Sequence, residues 1–186
     1  MRYTDSHIGQ LVGKGIEFLS SHKKGIVYLE CDGMYDLEIT LSVAPSKKVD
    51  DFLIDGNFYR SDLSIELVII YNPDKDKDLY WMNWSLNEIL AHEVCHYQQY
   101  LEGRLPRNGK KELPAPKYFL QKHEVEAQIA GWQRVSKLTG DTPEKTAEIW
   151  FGRNSRFHGM EELEWKKVIK KIFSYEGISY ISCITN

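Results

Sequence analysis

The chain of 186 residues has few of the features that mark a membrane protein, a secreted protein or a nucleic-acid-binding protein. No apolar run reaches the roughly 20 residues needed to span a bilayer, and Met1 to Gln10 lack the apolar centre of a secretion signal. The three scattered cysteines do not suggest a disulfide framework, and a net charge of −3 indicates no basic surface. The sequence therefore predicts a cytoplasmic protein without a membrane or nucleic-acid partner.

The order of the predicted elements indicates an α+β fold within one domain, residues 1–186. A hydrophobic fraction of 42% and a charged fraction of 27% are ordinary for a globular protein. A helical pattern up to about His22 is followed by three β-like stretches, at residues 25–30, 35–43 and 63–71. We expect residues 1–80 to form a helix and a small, mainly antiparallel sheet, and residues 81–186 to form a helical half.

The segment that leads into residues 92–96 has the features of an amphipathic helix. Ser85-Leu86-Asn87-Glu88 reads as a capping box with Ser85 at the N-cap, and Gly103 is a plausible C-terminal stop. One apolar stripe recurs at helical spacing, comprising Leu86, Leu90, Val94, Tyr97 and Leu101. This stripe should face the core and leave the opposite face for other contacts.

The most informative motif on that opposite face is His92-Glu93-Val94-Cys95-His96, an H-E-x-x-H sequence. Positions i and i+4 of a helix lie on the same face, so His92 and His96 can direct imidazole nitrogens at one metal ion. Glu93 projects beside them, where it can hold and deprotonate a metal-bound water. This is the chemistry of a zinc-dependent hydrolase, most often a peptidase.

A catalytic zinc site needs a third protein ligand, and a second helical run supplies the candidates. This run extends from Lys117 to about Leu138 and is closed by Gly140. Glu124 and Glu126 are two residues apart, about 200° around the helix, so only one of them can face the metal. We prefer Glu126, because the small side chains of Ala127 and Ala130 on its flank would let this helix approach the first one closely.

The alternatives to Glu126 stay open at this point. Glu124 could be the third ligand, with the helix turned the other way. His123 could serve either as a ligand or as a hydrogen-bond donor. Gln99, one turn beyond His96, can hydrogen-bond behind the metal ligands.

The span from His92 to Ala130 resembles zincins of the gluzincin type, in which H-E-x-x-H on one helix is completed by a Glu on a following helix. It is also similar to small phage- and bacteria-encoded metallopeptidases that read H-E-x-x-H-x-x-Q and then E-x-E-A, here His92, Glu93, His96 and Gln99, then Glu124, Glu126 and Ala127. ImmA/IrrE-like peptidases have a related E-A signature, which favours Glu126. The resemblance implies a zincin-like fold, Zn²⁺ as cofactor, and a peptide or protein substrate held along an edge strand.

The predicted mechanism assigns the general base to Glu93 and leaves the oxyanion donor open among several residues. His158 is our choice as the second catalytic residue, because its loop is polar and flanked by glycines. Tyr118, His123 and Arg156 are alternatives. Two other functions also fit the motif, an inactive zinc-binding interaction module and a zinc hydrolase that acts on non-peptide bonds.

Overall fold

The computed structural model describes residues 3–31, 36–106, 113–154 and 159–175. Within these ranges the chain forms six helices and four strands. In chain order they are α1 (Asp5–Ser21), β1 (Gly25–Tyr28), β2 (Glu38–Pro45), β3 (Phe52–Tyr59), β4 (Ser64–Tyr71), α2 (Leu79–Leu101), α3 (Ala115–Phe119), α4 (Lys122–Thr139), α5 (Pro143–Asn154) and α6 (Glu162–Phe173). The α+β class predicted from the sequence is confirmed.

The four strands form one mixed sheet in the order β1-β2-β4-β3. β1 pairs with β2 and β3 pairs with β4 in antiparallel register, whereas β2 and β4 are parallel. Alternate side chains of β2, including Ile39 and Leu41, are buried, as predicted for a half-buried strand. β4 lies between two other strands, as expected from its nearly continuous apolar sequence. β1 and β3 are the two edges of this sheet.

The edge strand β3 is absent from the sequence-based prediction. Its middle residues, Asp55-Gly56-Asn57, have the composition of a turn, because Asp-Gly and Gly-Asn pairs favour hairpin loops. In the structure they continue an extended strand that pairs with β4 from Phe52 to Tyr59. Gly56 packs closely on α2, since a Cβ at this position would lie 2.9 Å from Cγ1 of Ile89. The turn-like composition therefore reflects close contact between the strand and the helix.

Helix α2 begins earlier than the capping box predicts. Its N-cap is Asp78, whose Oδ1 accepts a hydrogen bond of 3.1 Å from the backbone N–H of Trp81. The prediction of Ser85 as the N-cap is wrong, because the helix already runs through this position. Glu88, which the capping box would have used locally, instead accepts a hydrogen bond from the indole of Trp150.

Two hydrophobic clusters form the core, and they meet at the contact between α2 and α4. The first joins α1, the sheet and the apolar stripe of α2, and the second joins α3, α4, α5 and α6. A small buried group of Cys95, Ala127 and Ala130 lies between them. The predicted close approach of the two helices through small residues is confirmed, and α4 ends at Gly140 in the left-handed conformation, as expected.

Two further sequence expectations can be compared with the structure. Cys95 is disulfide-bonded, which the scattered positions of the cysteines in the sequence did not suggest. In the part of the chain that is described, no helix combines the length and the apolar character needed to cross a membrane.

Gly131 permits the close contact between α4 and α2, and its replacement tests that contact. A Cβ at Gly131 would lie 2.8 Å from the backbone oxygen of Glu88, which cannot move without shifting α2. Gly131→Ala should therefore lower the free energy of unfolding by about 1–3 kcal/mol in urea denaturation followed by circular dichroism.

The matched control for Gly131→Ala is Gly13→Ala in α1. A Cβ at Gly13 meets nothing within 4 Å. This variant should be more stable than the wild type by about 0.5–1 kcal/mol, because alanine loses less backbone entropy in a helix. Equal effects of the two variants would contradict the close packing at Gly131.

Candidate metal centre

Two histidines of α2 and one glutamate of α4 converge on one point between the helices. Nε2 of His92 and Nε2 of His96 each lie 3.6 Å from Oε2 of Glu124. This distance is too long for a hydrogen bond. It is close to the spacing of about 3.3 Å expected between two ligands of a tetrahedral zinc ion with bonds of about 2.0–2.1 Å. These three side chains can therefore share one cation.

Burial makes this arrangement costly unless a cation is present. His92, His96 and Glu124 are 9%, 8% and 4% exposed. Oε2 of Glu124 has no hydrogen-bond partner among the described residues, although it is fully buried. Native proteins rarely leave a buried charged oxygen without a hydrogen bond or a metal, because such direct contacts offset the cost of desolvation. A metal ion at the shared point would supply the missing interaction.

The electrostatic surroundings keep Glu124 ionised. Burial alone would raise the pKa of Glu124, but the imidazoles of His123, His92 and His96 hold it well below its usual range. Burial also lowers the pKa of His92, yet the carboxylates of Glu124 and Glu93 outweigh this effect and raise it to about 9. The negative charge concentrated on this side of the helix pair favours a positive charge between the ligands.

Glu126, preferred from the sequence as the third ligand, lies away from the two histidines. Its Oε2 accepts a hydrogen bond of 3.1 Å from Nε2 of Gln99 and forms an ion pair with the guanidinium of Arg104. Glu124 and Glu126 lie on opposite sides of the line along which α4 contacts α2. The side next to β3, which carries Glu124, faces the cleft. Because β3 was not predicted, the sequence did not indicate which of the two glutamates faces the cleft. The structure brings Glu124, the stated alternative, to the two histidines and leaves Glu126 outside that group.

Gln99 connects Glu126 to the histidine pair and orients His96. Oε1 of Gln99 lies 2.9 Å from Nδ1 of His96, and its Nε2 donates to Glu126 and to the backbone oxygen of His123, also at 2.9 Å. Since Gln99 donates through Nε2, its Oε1 accepts the Nδ1–H of His96. This tautomer leaves the Nε2 lone pair of His96 for a metal. The predicted hydrogen-bonding role of Gln99 is confirmed.

Glu93 is held at the site by the edge strand. Its Oε2 accepts a hydrogen bond of 2.9 Å from the backbone N–H of Phe58 in β3, and its Oε1 lies 3.9 Å from Nε2 of His92. Burial raises the pKa of Glu93. A carboxylate with a raised pKa, fixed beside the convergence point, is a stronger proton acceptor than an ordinary carboxylate.

Two of the proposed oxyanion donors lie at the site, and two lie outside the described residues. Nε2 of His123 is 3.4 Å from Oε1 of Glu124, so His123 contacts the carboxylate oxygen that does not face His92 and His96. Tyr118 lines the same cleft, and burial together with the charge of Glu124 raises the pKa of its phenol. The phenol therefore stays protonated and able to donate. His158 and Arg156 fall outside the described ranges.

The site opens into a cleft with a volume of about 1090 Å³, lined by β3, one face of α2, and parts of α3, α4 and α5. The N–H of Phe58 points away from β4, toward Glu93. Residues of an antiparallel strand alternate between the two sides, so Ile54 and Gly56 also direct backbone groups to the open edge. The N–H of Gly56 accordingly contacts Oδ1 of Asp55 and not a β4 carbonyl.

Comparisons with models of protein families, with curated proteins and with solved structures give no match to this chain.

Sequence reasoning missed three contributors to the site, namely the backbone of Phe58, the side chain of Arg104 and Gln128. Gln128 follows Glu124 by one helical turn, and this spacing would have identified it once Glu124 was chosen as the ligand.

Proposed function

We propose that this protein is a zinc-dependent metallopeptidase with a zincin-like fold. His92, His96 and Glu124 are the metal ligands, and Glu93 is the general base. The observation that carries the proposal is the convergence of two imidazole nitrogens and an unpartnered carboxylate oxygen at a spacing suited to a shared metal. Three protein ligands with an open fourth position are typical of catalytic zinc, whereas structural sites are closed by four.

The protein side chains around this centre account for the proton transfers of hydrolysis. When bound, zinc would supply a Lewis acid that polarises the scissile carbonyl and activates water near neutral pH. Glu93 accepts the proton of the attacking water and passes it to the leaving amine. The hydrogen bond from Phe58 keeps this carboxylate in place during both transfers. The protonated phenol of Tyr118 is our choice as the donor to the developing oxyanion.

The edge of β3 that pairs with no described strand favours a peptide substrate over other hydrolysable groups. An extended peptide can add to an exposed strand through backbone hydrogen bonds. Here the edge groups of Ile54 and Gly56 border the same cleft as the metal ligands. A peptide paired with β3 would pass directly over the convergence point, with its carbonyl beside Glu93.

Metal content and peptide cleavage, measured on the same preparation, test this function. The protein is stripped with a chelator, dialysed, reloaded with zinc and incubated with a mixed peptide library read by mass spectrometry. We expect about one zinc per chain and cleavage that chelation removes and zinc restores. His22→Ala, which alters an exposed histidine at the end of α1, should match the wild type in both measurements.

Other outcomes would contradict the proposal in distinct ways. Bound zinc without cleavage of any peptide would indicate an interaction module. Turnover of ester or amide substrates without peptide cleavage would indicate a zinc hydrolase of another class. Absence of zinc binding would remove the metal centre itself.

A further inference from the structure

A second polar pair lies in the cleft beyond the metal ligands. Glu88 precedes His92 by one turn of α2, and Gln128 follows Glu124 by one turn of α4. Both side chains line the cleft and are buried, with exposures of 5% and 3%. One helical turn displaces them from the metal ligands by about 6 Å along the helix axis.

This pair combines one buried acceptor that lacks a partner among the described residues with one buried carboxyl group. Oε1 of Gln128 has no hydrogen-bond partner among the described residues. Oε2 of Glu88 accepts a hydrogen bond of 3.0 Å from Nε1 of Trp150, and burial raises the pKa of this carboxyl group to about 7. A ligand that donates hydrogen bonds and carries positive charge would satisfy Oε1 of Gln128 and stabilise the ionised form of Glu88.

The walls of this part of the cleft suit an aliphatic stem with a cationic end. Trp84 and Trp150 both line it. The methylene groups of lysine or arginine pack well against apolar and aromatic surfaces while their charged ends reach polar partners. Arg153 lies farther along the cleft, near the start of α2. Its Cζ atom is 4.2 Å from the centre of the Trp81 ring.

The direction of β3 defines which substrate residue reaches the pair. Arg153 contacts both Phe52, at the start of β3, and Trp81, at the start of α2, whereas Phe58 contacts Glu93 farther along. β3 and α2 therefore run in the same direction along the cleft. A peptide added antiparallel to β3, the more stable pairing, runs from the Phe58 end toward Phe52. Its residue after the scissile bond then lies beside Glu88.

We infer that Glu88 and Gln128 form a specificity subsite that selects lysine or arginine as the residue following the scissile bond. The inference rests on the proposed peptidase function. The reach of a lysine side chain, about 6 Å from Cα to the ammonium, matches the one-turn displacement of the pair from the metal ligands.

Cleavage mapping with the zinc-loaded protein provides the first test. In matched peptides that differ only in lysine or norleucine after the scissile bond, we expect kcat/KM to be higher for lysine by at least about tenfold. Glu88→Gln keeps an oxygen for Trp150 but removes the charge, so it should abolish this preference while norleucine peptides are still cleaved. Gln128→Leu serves as a second variant if Glu88→Gln does not fold. Glu17→Gln, at an exposed position of α1, is the control.

A binding measurement tests the subsite independently of turnover. In NMR titrations of the zinc-loaded protein, Nα-acetyl-lysine methylamide should shift the indole N–H signal of Trp150, and the norleucine analogue should not. Equal responses to the two compounds would overturn the subsite. Peptide cleavage without a basic preference would overturn the subsite but leave the peptidase function intact. Absence of all cleavage would refute the peptidase function, and the titration alone would then decide the subsite.

Discussion

Glu93→Gln is expected to bind as much zinc as the wild-type protein and to cleave peptides about 10²- to 10⁴-fold more slowly. The amide retains an oxygen that can accept the N–H of Phe58, so the side chain should keep its position. It cannot accept a proton from water at any accessible pH. The loss should therefore appear in kcat, with little change in the metal content determined by elemental analysis.

The control for this variant is Glu17→Gln, which makes the same change on an exposed face of α1. It should retain full activity. Equal peptide cleavage by Glu93→Gln and the wild type would remove Glu93 from the chemistry. A parallel loss of zinc and activity would instead show that Glu93 acts on metal binding.

Glu124→Ala and Glu126→Ala should differ sharply in zinc affinity, although the two residues are separated by a single position. Removal of Glu124 deletes one of the three proposed ligands, and we expect the purified variant to retain no stoichiometric zinc. Removal of Glu126 breaks contacts to Gln99 and Arg104, which act on the metal only through His96. Loss of such supporting contacts typically weakens metal affinity by about 10- to 100-fold, so Glu126→Ala should still bind zinc but more weakly.

Competition with a chromophoric chelator measures both affinities, and circular dichroism verifies that each variant is folded. Glu124→Gln adds a nearly isosteric replacement, which should also lose zinc because a neutral amide oxygen is a poorer ligand than a carboxylate. If Glu126→Ala lost zinc and Glu124→Ala retained it, the ligand would be the residue that the sequence favoured. The geometry of the centre would then have to change in the metal-bound protein.

The part of the site contained within one helix could be predicted from the sequence. His92, Glu93 and His96 are related by helical periodicity alone, and Gln99 follows from the same geometry. The class of fold followed similarly from local patterns of alternation and periodicity. The close contact of α2 with α4 was also readable, because small residues such as Ala127 and Ala130 permit it.

The part of the site that depends on relations between distant segments could not be predicted. The choice between Glu124 and Glu126 depends on which side of α2 carries β3, and the Asp55-Gly56-Asn57 sequence concealed that strand as a turn. The N-cap of α2 was misplaced for a related reason. Glu88 looked like a local capping partner, but its actual partner is Trp150, 62 positions away in the chain.

The centre lies at the junction of two separately organised hydrophobic clusters, with His92 and His96 on a helix of one and Glu124 on a helix of the other. An ion bound by all three residues binds only the state in which α2 and α4 are in contact, because the three side chains move apart when the two clusters separate. Its binding energy adds to the cohesion between the clusters, by about 2.7 kcal/mol when free metal is at 100 times its dissociation constant. With zinc as the proposed ion, its supply would affect both the proposed hydrolysis and the fraction of molecules in which the two clusters stay in contact.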